Sequence, residues 1–218
     1  MHKVKDFFDS VMPSPGMKLK ALVLNGSLKH KPHISNTGEL SGLVTNKMKE
    51  YGVESEIIRL ADKNIPAGVK FKEGSKDDWP AIAEKIIKTD ILIIASPIWW
   101  GGRSSLTQRI IERFDAFDEL YHNEGRSKLY NKTAGVVITG SEDGAQHCIG
   151  TILEVLMFMG FTIPPECAAY WVGEVGMPPS KDRKKRLRNK GTQKMALKMA
   201  RNLVYYAQLL KENPLIAG

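Results

Sequence analysis

The sequence predicts an α/β protein in which one parallel sheet of five strands is covered by helices on both faces. Apolar segments of strand length alternate along the chain with amphipathic segments of helix length, and this alternation is typical of a parallel sheet with right-handed crossovers. Residues 91–95 are continuously apolar, as expected for a strand that is buried on both faces. The length of 218 residues fits one domain of this class.

The elements expected from periodicity and from turn residues cover most of the chain. Strands are expected at residues 19–25, 53–60, 91–95, 133–139 and 161–172, the last interrupted by Pro164 and Pro165. Helices are expected at residues 37–51 and 77–88, from residue 104, and at residues 145–159 and 182–211, whereas residues 118–131 are expected to be a loop. The domain is expected to span residues 17–212, with an N-terminal extension at 1–16 and a tail at 213–218.

The composition is that of a soluble globular protein, with 42% hydrophobic and 26% charged residues. No apolar run reaches the roughly 20 residues that a membrane-spanning helix needs, so no membrane span is expected. The two cysteines, Cys148 and Cys167, form neither a disulfide framework nor a metal-binding pattern. A cytoplasmic location is therefore expected, and no metal site.

The first strand leads into a segment whose chemistry suits an anion. An apolar run ends in Asn-Gly-Ser at residues 25–27, and after a loop the next helix begins with Ser-Asn-Thr at residues 35–37. The first N–H groups of a helix have no partner within it and lie at the positive end of the helix dipole. The hydroxyls of Ser27, Ser35 and Thr37 could add neutral donors. The segment is either a phosphate site or an ordinary strand–helix loop with an N-cap.

Two further loops follow strands that would be neighbours of the first strand. Residues 97–102 contain Trp99, Trp100 and two glycines, which combine an aromatic wall with backbone that a ligand can approach. Residues 139–144 are rich in glycine and short polar side chains, so their N–H groups can meet a polar ring edge. In a sheet of order 2-1-3-4-5 the three loops share one crevice at the carboxyl ends of the strands. Together they predict a site for flavin mononucleotide (FMN).

Three motifs carry a family resemblance, each directly after its own strand. They are Gly-Ser at 26–27 with Ser-Asn-Thr at 35–37, Ser-Pro-Ile-Trp-Trp-Gly at 96–101, and Thr-Gly-Ser-Glu-Asp-Gly-Ala at 139–145. In this order they resemble the flavodoxin-like NAD(P)H-dependent FMN reductase family, over residues 19–172. The resemblance implies a flavodoxin-like doubly wound fold, non-covalently bound FMN and reduction by NAD(P)H. The iron–sulfur branch of the family carries a cysteine cluster that this chain lacks.

The resemblance also implies which residues contact the cofactor. The phosphate would be held by Ser27, Ser35, Asn36 and Thr37. The isoalloxazine ring would lie beside Pro97, Ile98, Trp99, Trp100 and Gly101, with Thr139, Gly140 and Asp143 at its other edge. No side chain is required as an obligatory acid or base, because most of the chemistry belongs to the flavin.

Simpler roles remain open for several of these residues. Trp99 and Trp100 could be core or dimer-interface residues, and two adjacent side chains cannot both stack on one ring face. Asp143 could be the N-cap of the helix that begins at Ala145. Cys148 is expected to be a small core residue.

The expected function is transfer of a hydride from NAD(P)H, through FMN, to a small acceptor such as a quinone, a nitro or azo compound, or free flavin. The alternative is a flavodoxin-type electron carrier that does not use NAD(P)H, but such carriers tend to be acidic and the net charge here is +8. A flavin-free binding protein with the same fold is a third possibility. A homodimer is expected because one shallow flavin face needs a lid, for which residues 1–16, residues 118–131 and Trp171 are candidates.

Most of the positive charge lies in one segment. Residues 181–190 hold seven Lys or Arg and one Asp, a local charge of +6 out of the total of +8. The run has no interleaved aromatic residues, so no nucleic-acid binding is expected. It is interpreted either as a solvated helix start or as a patch that attracts an anionic nucleotide such as NADPH.

Overall fold

One twisted sheet forms the centre of the protein. The structure is a computed structural model that describes residues 18–124 and 127–216. The strands are β1 (Lys20–Asn25), β2 (Glu54–Arg59), β3 (Ile91–Trp99), β4 (Gly102–Arg103), β5 (Thr133–Gly140) and β6 (Ala168–Val172). Five of them are parallel, in the order β2-β1-β3-β5-β6, and β4 folds back antiparallel on the end of β3. Apart from this short hairpin the order is the expected 2-1-3-4-5, so the predicted fold class is confirmed.

Helices cover both faces of the sheet. In the described ranges they are α1 (Asn36–Lys49), α2 (Trp79–Lys88), α3 (Ser105–Arg113), α4 (Ala116–Glu124), α5 (Ala145–Phe158), α6 (Pro179–Arg188) and α7 (Lys190–Glu212), with a 3₁₀ turn at Leu60–Asp62. Helices α1 and α7 pack on one face, and α2, α3 and α5 pack on the other. None of these helices combines the length and the apolar character that crossing a bilayer demands.

Alternate residues of the inner strands face the two helical layers. In β1, Leu22 and Leu24 belong to the core under α2, α3 and α5, whereas Ala21 and Val23 belong to the core under α1 and α7. In β3 the whole segment 91–95 is buried. The continuous apolar run of the sequence therefore reflects a strand covered on both faces, as predicted.

Two elements near the last strand differ from the expected ones. Strand β6 begins only at Ala168, and Thr162 forms no more than an isolated bridge to Thr133. The prolines at 164 and 165 lack the N–H groups that a continuous ladder needs. The expected loop at 118–131 contains the second half of α4.

The expected C-terminal helix is split into α6 and α7. The break lies at Asn189, whose side-chain oxygen accepts the N–H of Thr192 at 2.8 Å and caps the start of α7. Asparagine competes with the helix in this way because its short side chain reaches the backbone. Beyond α7, Leu215 of the expected tail donates its N–H to Asn131 at 2.7 Å. The expected N-terminal extension at 1–16 lies outside the described residues.

The carboxyl ends of β1, β3 and β5 lie side by side. Asn25 at the end of β1 is in register with Ala95 of β3, and Pro97 of β3 is in register with Thr139 of β5. The loops that follow these three strands therefore leave the sheet at the same edge, as the sequence predicted.

Candidate cofactor site

The first turn of α1 presents backbone donors to this edge. Ser35 precedes the helix, and its Oγ accepts the N–H of Gly38 at 3.0 Å, while its carbonyl accepts the N–H of Glu39 at 2.9 Å. The N–H groups of Asn36 and Thr37 donate to no other residue in the described part of the chain. Two free donors at the positive end of a helix favour an anion.

Gly26 brings the first loop tightly against the start of α3. Its N–H donates to the carbonyl of Ala95 at 2.7 Å, and its own carbonyl accepts the hydroxyl of Ser104 at 2.7 Å. A Cβ at this position would lie 2.0 Å from Oγ1 of Thr107. Only glycine fits here, and the close approach turns the Gly26 carbonyl towards α3.

The rest of the first loop is fastened to the end of β2. Arg59 donates through Nη1 to the carbonyl of His33 at 2.8 Å and to that of Lys29 at 3.4 Å. Asp62 accepts the N–H of Lys31 at 3.1 Å through Oδ1. These bonds anchor a loop that is longer and bulkier than a simple strand–helix connection.

The two tryptophans of the second loop have different environments. Trp99 ends β3 and is 49% exposed, whereas Trp100 is 92% exposed. Trp100 and Gly101 are the central residues of the β3–β4 turn and have φ values of 50° and 75°. Positive φ at both central residues is the hallmark of type I′ hairpin turns, which match the twist of the strands. The turn thus directs the two adjacent indoles to different places.

The third loop is joined to the first by a pair of buried hydroxyls. Oγ1 of Thr37 and Oγ1 of Thr139 are 2.7 Å apart. Next to this pair, a Cβ at Gly140 would approach the side chain of Ile98 to 2.8 Å. The end of β5 therefore lies close to both the anion-binding turn of α1 and the end of β3.

The cap of α5 is Gly144 and not Asp143. Gly144 has a φ of 118° and makes no side-chain cap, and a Cβ there would lie 2.4 Å from the carbonyl oxygen of Gly101. The interpretation of Asp143 as N-cap is therefore wrong, because the chain needs a glycine to pass the hairpin at that point. Asp143 itself is exposed.

The three loops enclose one side of a cavity of about 300 Å³. Its lining residues are Ser27, Leu28, Lys29, Asn36, Thr37, Pro97, Ile98, Trp99, Thr139, Gly140, Ser141, Glu142, Glu174, Gly176, Met177 and Asp182. Four of the predicted site residues are not in this lining: Ser35 is buried as the cap of α1, Trp100 and Asp143 are exposed, and Gly101 lies in the hairpin turn. The remaining predicted residues meet in the cavity.

A wall of the cavity comes from the segment after β6, which the sequence analysis did not assign to the site. Glu174, Gly176 and Met177 precede α6, and Asp182 lies in its first turn. The carboxylate of Asp182 accepts the indole N–H of Trp171 at 2.7 Å. It also accepts a hydrogen bond from Nη1 of Arg186 at 2.7 Å.

The basic run is more than a solvated helix start. Arg186 is 1% exposed and bonds Asp182 and Glu39 at its two terminal nitrogens. Lys185 pairs with Glu174 at 2.7 Å. Every cation of the run except Arg186 is exposed, and Lys181, Lys184, Arg188 and Lys190 form no ion pair with a described residue. The run thus compensates acidic groups at the cavity wall through Lys185 and Arg186, while its other cations lie in solvent.

Residues 19–174, most of the chain, match the family model described as NADPH-dependent FMN reductase. The chain belongs to this FMN reductase family. It is therefore an oxidoreductase-type enzyme of a flavin-binding family with a flavodoxin-like fold, and the resemblance found in the sequence is confirmed.

Similarity to known proteins extends over most of the chain. The chain is 36% identical over 209 residues to 8-demethyl-8-aminoriboflavin-5'-phosphate synthase of Streptomyces davaonensis, covering 91% of this chain and 80% of the relative. The crystal structure of RosB with the bound intermediate 8-demethyl-8-formylriboflavin-5'-phosphate superposes with a TM-score of 0.82 at 35% identity, covering 90% of this chain and 82% of that one. A divalent metal cation transporter, MntH of Mycobacterium bovis, is 38% identical over 166 residues, covering 74% of this chain. The chain spans only 24% of that relative's length.

The residues of the cavity fit the FMN that this family binds. The free N–H groups of Asn36 and Thr37 suit a phosphate, and buried hydroxyls of Ser27 and Thr37 stand beside them. Pro97, Ile98 and Trp99 offer an apolar wall of the kind that a flat ring requires. The cavity thus combines an anion-binding end with an apolar side.

Cys148 lies behind the hairpin and takes no part in the cavity. It is buried in the first turn of α5, with Sγ 3.9 Å from the carbonyl oxygen of Gly101. Burial raises the pKa of its thiol, and the charge of Arg103 offsets this only in part. The thiol stays protonated at neutral pH, which agrees with the expected role as a small core residue.

Proposed function

We propose that the protein is an FMN-dependent oxidoreductase that takes a hydride from NAD(P)H and reduces a small acceptor, such as a quinone, a nitro or azo compound, or free flavin. One observation carries the proposal: the cavity joins the free N–H groups of α1 to the loops after β1, β3 and β5. Bound FMN would supply the capacity to accept a hydride and pass on its electrons. The protein would supply position, polarity and exclusion of water.

In this proposal the phosphate lies at the first turn of α1. Asn36 and Thr37 would bind it through their backbone N–H groups, and Ser27 and Thr37 through their hydroxyls. Ser35 would not contact the phosphate itself. Its Oγ already accepts the N–H of Gly38 and so shapes the turn that binds the phosphate. No cationic side chain is needed at this end of the cavity.

The isoalloxazine ring would lie against the second and third loops. Pro97, Ile98 and Trp99 would pack along it, and Thr139 and Gly140 would meet its polar edge. A backbone N–H group near Gly140 would stabilise negative charge on the reduced ring. Trp100 and Asp143 would act at the rim, where an acceptor or a partner subunit meets the protein.

The first test is the cofactor itself. Purified protein should be yellow, and acid should release FMN and not FAD. Replacing Ser27 and Thr37 by Asp should abolish binding, because like charge would face the phosphate. The control is Ser75→Asp, which adds a carboxylate in an exposed loop outside the cavity. A colourless protein that ignores added FMN would contradict the proposal.

The second test is anaerobic reduction by each nucleotide in a stopped-flow instrument. NADH or NADPH should bleach the visible flavin absorbance in one two-electron phase, and a quinone should restore it. A flavin that neither nucleotide reduces, but that a chemical reductant takes through a one-electron state, would instead indicate a flavodoxin-type carrier.

A second candidate function treats a flavin phosphate as the substrate. It is favoured by the 36% identity over 91% of the chain to a synthase of 8-demethyl-8-aminoriboflavin-5'-phosphate. Incubation with FMN, molecular oxygen as the oxidant of the 8-methyl group and an amino acid as the amino donor, followed by mass spectrometry of the released flavin, separates the two functions. An 8-formyl or 8-amino flavin phosphate would support the second function, and unchanged FMN after many reductive turnovers would support the first.

We also propose that the protein forms a homodimer and that it is located in the cytoplasm. The exposed indole of Trp100 and the exposed Val175, beside the cavity wall, are the apolar groups that a second subunit would cover. Sedimentation at micromolar concentration tests this. A fully active monomer would reject the dimer.

A further inference from the structure

Asp182 binds donors from three different elements at the cavity wall. Its Oδ1 accepts the indole N–H of Trp171, at the end of β6, at 2.7 Å. Its Oδ2 accepts a hydrogen bond from Nη1 of Arg186, on α6, at 2.7 Å. The same oxygen accepts a hydrogen bond from the side-chain NH₂ of Asn36, on α1, at 3.4 Å. Asn36 also lines the cavity and carries one of the free N–H groups of the anion-binding turn. The carboxylate therefore connects the C-terminal wall to the phosphate end of the site.

Arg186 fixes the position of this carboxylate. Its side chain is 1% exposed, and Nη2 bonds Oε2 of Glu39 at 2.5 Å while Nη1 bonds Asp182. Glu39 lies in the first turn of α1, three residues after Asn36. A planar guanidinium that bonds one carboxylate on each of two helices holds those helices at a defined separation.

The bond to Asp182 also sets the orientation of the Asn36 amide. An ionised carboxylate can only accept hydrogen bonds, so the NH₂ group of Asn36 must face it. The carbonyl oxygen of Asn36 is then directed away from Asp182 as an acceptor, while the backbone N–H stays a donor. One residue thus presents a donor suited to a phosphate and an acceptor suited to a hydroxyl.

We propose that Asp182 is a positioning residue of the cofactor site, which orients Asn36 at the anion-binding turn, and that Arg186 holds Asp182 in place through Glu39. The identity of the ligand, FMN, rests on the proposed function. Asp182 and Arg186 lie beyond residue 174, where the match to the family model ends. The residues that position Asn36 therefore come from a segment that the family model does not cover.

A simpler role for Asp182 would be to stabilise α6 alone. An acidic residue in a first helical turn and an i,i+4 pair with Arg186 both favour the helix. In that case its replacement would weaken α6 and disturb the indole bonded to it, but leave Asn36 and the first turn of α1 unaffected. The two roles therefore differ in what happens on α1.

The first experiment needs no ligand. Asp182→Asn keeps the shape but leaves one acceptor oxygen for three donors, and its NH₂ group opposes the guanidinium. The indole N–H resonance of Trp171, assigned with Trp171→Phe, should shift, and hydrogen exchange should rise in the first turn of α1. Lys184→Gln, an exposed change on the same helix, should leave both unchanged. The indole shift verifies that the bond to Trp171 is lost, and unchanged exchange in α1 would then overturn the proposal, whether or not FMN binds.

The second experiment measures the dissociation constant of FMN by fluorescence titration, under conditions where circular dichroism shows each variant folded. Asp182→Asn should weaken binding roughly tenfold, the equivalent of about 1.4 kcal/mol. In an Asn36→Ala background the same change should weaken it by less than about threefold, because the residue that Asp182 orients is gone. Equal effects in the two backgrounds would overturn the proposal. Absence of FMN binding in the wild type would overturn the proposed function alone, and the ligand-free experiment would then judge Asp182.

Discussion

The ion pair between Arg113 and Asp77 provides a sharp test of what holds the long connection between β2 and α2. Both side chains are 0% exposed, and Nη2 of Arg113 lies 2.8 Å from Oδ2 of Asp77. Asp77 also accepts the backbone N–H groups of Glu73 and Trp79, each at 2.8 Å. Arg113 in turn donates to three carbonyls of the connection, those of Pro66, Lys70 and Phe71.

We expect Asp77→Asn to destabilise the protein strongly, because it leaves a buried guanidinium without its counter-charge. Breaking one partner of a buried pair costs about 3–5 kcal/mol. At roughly 2–4 °C per kcal/mol for a protein of this size, the melting temperature should fall by about 10 °C. The comparison is the surface pair of Lys85 and Glu56, whose side chains are about half exposed. Lys85→Gln should cost no more than about 1 kcal/mol.

The pH dependence has a definite sign. Burial by itself raises the pKa of the Asp77 carboxyl, but hydrogen bonds from Glu73, Trp79 and Arg113 outweigh it and hold the pKa below its ordinary value. The ionised form therefore stabilises the folded state at any pH well above the unfolded pKa of about 3.9. That stabilisation is lost as the pH falls through the lowered folded pKa.

The assay is urea unfolding of wild type and Asp77→Asn, followed by tryptophan fluorescence, at neutral and acidic pH. The difference in the free energy of unfolding should be largest at neutral pH and should shrink in acid. A loss at neutral pH no larger than that of Lys85→Gln would refute the reasoning, and so would a difference that grows in acid. Binding of FMN under native conditions should not change, because Asp77 lies outside the cavity.

Three further predictions concern the crevice. Gly26→Ala should lower FMN affinity by more than about tenfold, because the new Cβ would lie 2.0 Å from Thr107 Oγ1 and displace the loop. The circular dichroism spectrum should stay native, and an unchanged affinity would contradict the prediction. Thr37→Val should weaken FMN binding by about tenfold, because a buried hydroxyl that faces Thr139 is lost, whereas Thr45→Val at the far end of α1 should not weaken it. Replacing three exposed cations of the basic run that form no ion pair with a described residue by Gln should raise the apparent KM for NADPH at low salt and leave it unchanged at about 1 M salt, where the Debye length is only about 3 Å. Identical low-salt kinetics would show that these cations do not steer the nucleotide. The replaced residues are Lys181, Lys184 and Arg188.

The architecture was predictable because its causes are local. The run at 91–95 is short and apolar throughout, which is typical of an inner strand, and Ser35 three residues before Gly38 is a recognisable helix cap. The order of three loop motifs then placed the crevice at one edge of the sheet. The break at Asn189 had a local signal too, since asparagine is a preferred N-cap, but the apolar periodicity around it obscured that signal.

The C-terminal wall of the cavity had no local cause. Asp182 and Arg186 read as parts of a charged helix, and their burial depends on Asn36 and Glu39, which lie more than a hundred residues earlier in the chain. The different exposure of Trp99 and Trp100 depends on a hairpin turn whose two central residues, Trp100 and Gly101, have positive φ. Such contacts come from tertiary packing, which periodicity does not encode. The one signal available was the single acid within the basic run.

The paired hydroxyls of Thr37 and Thr139 have a consequence for how the cavity adapts to its contents. Two hydroxyls 2.7 Å apart share one hydrogen bond, and either oxygen can be the donor. When Thr139 donates, the hydrogen of Thr37 is released for an anion beside the helix; when Thr37 donates, the hydrogen of Thr139 is released at the edge of β5. Rotation about two C–O bonds, a picosecond-to-nanosecond motion, is enough to exchange these states. The protein can thus transfer a free donor hydrogen from one threonine to the other without moving a heavy atom.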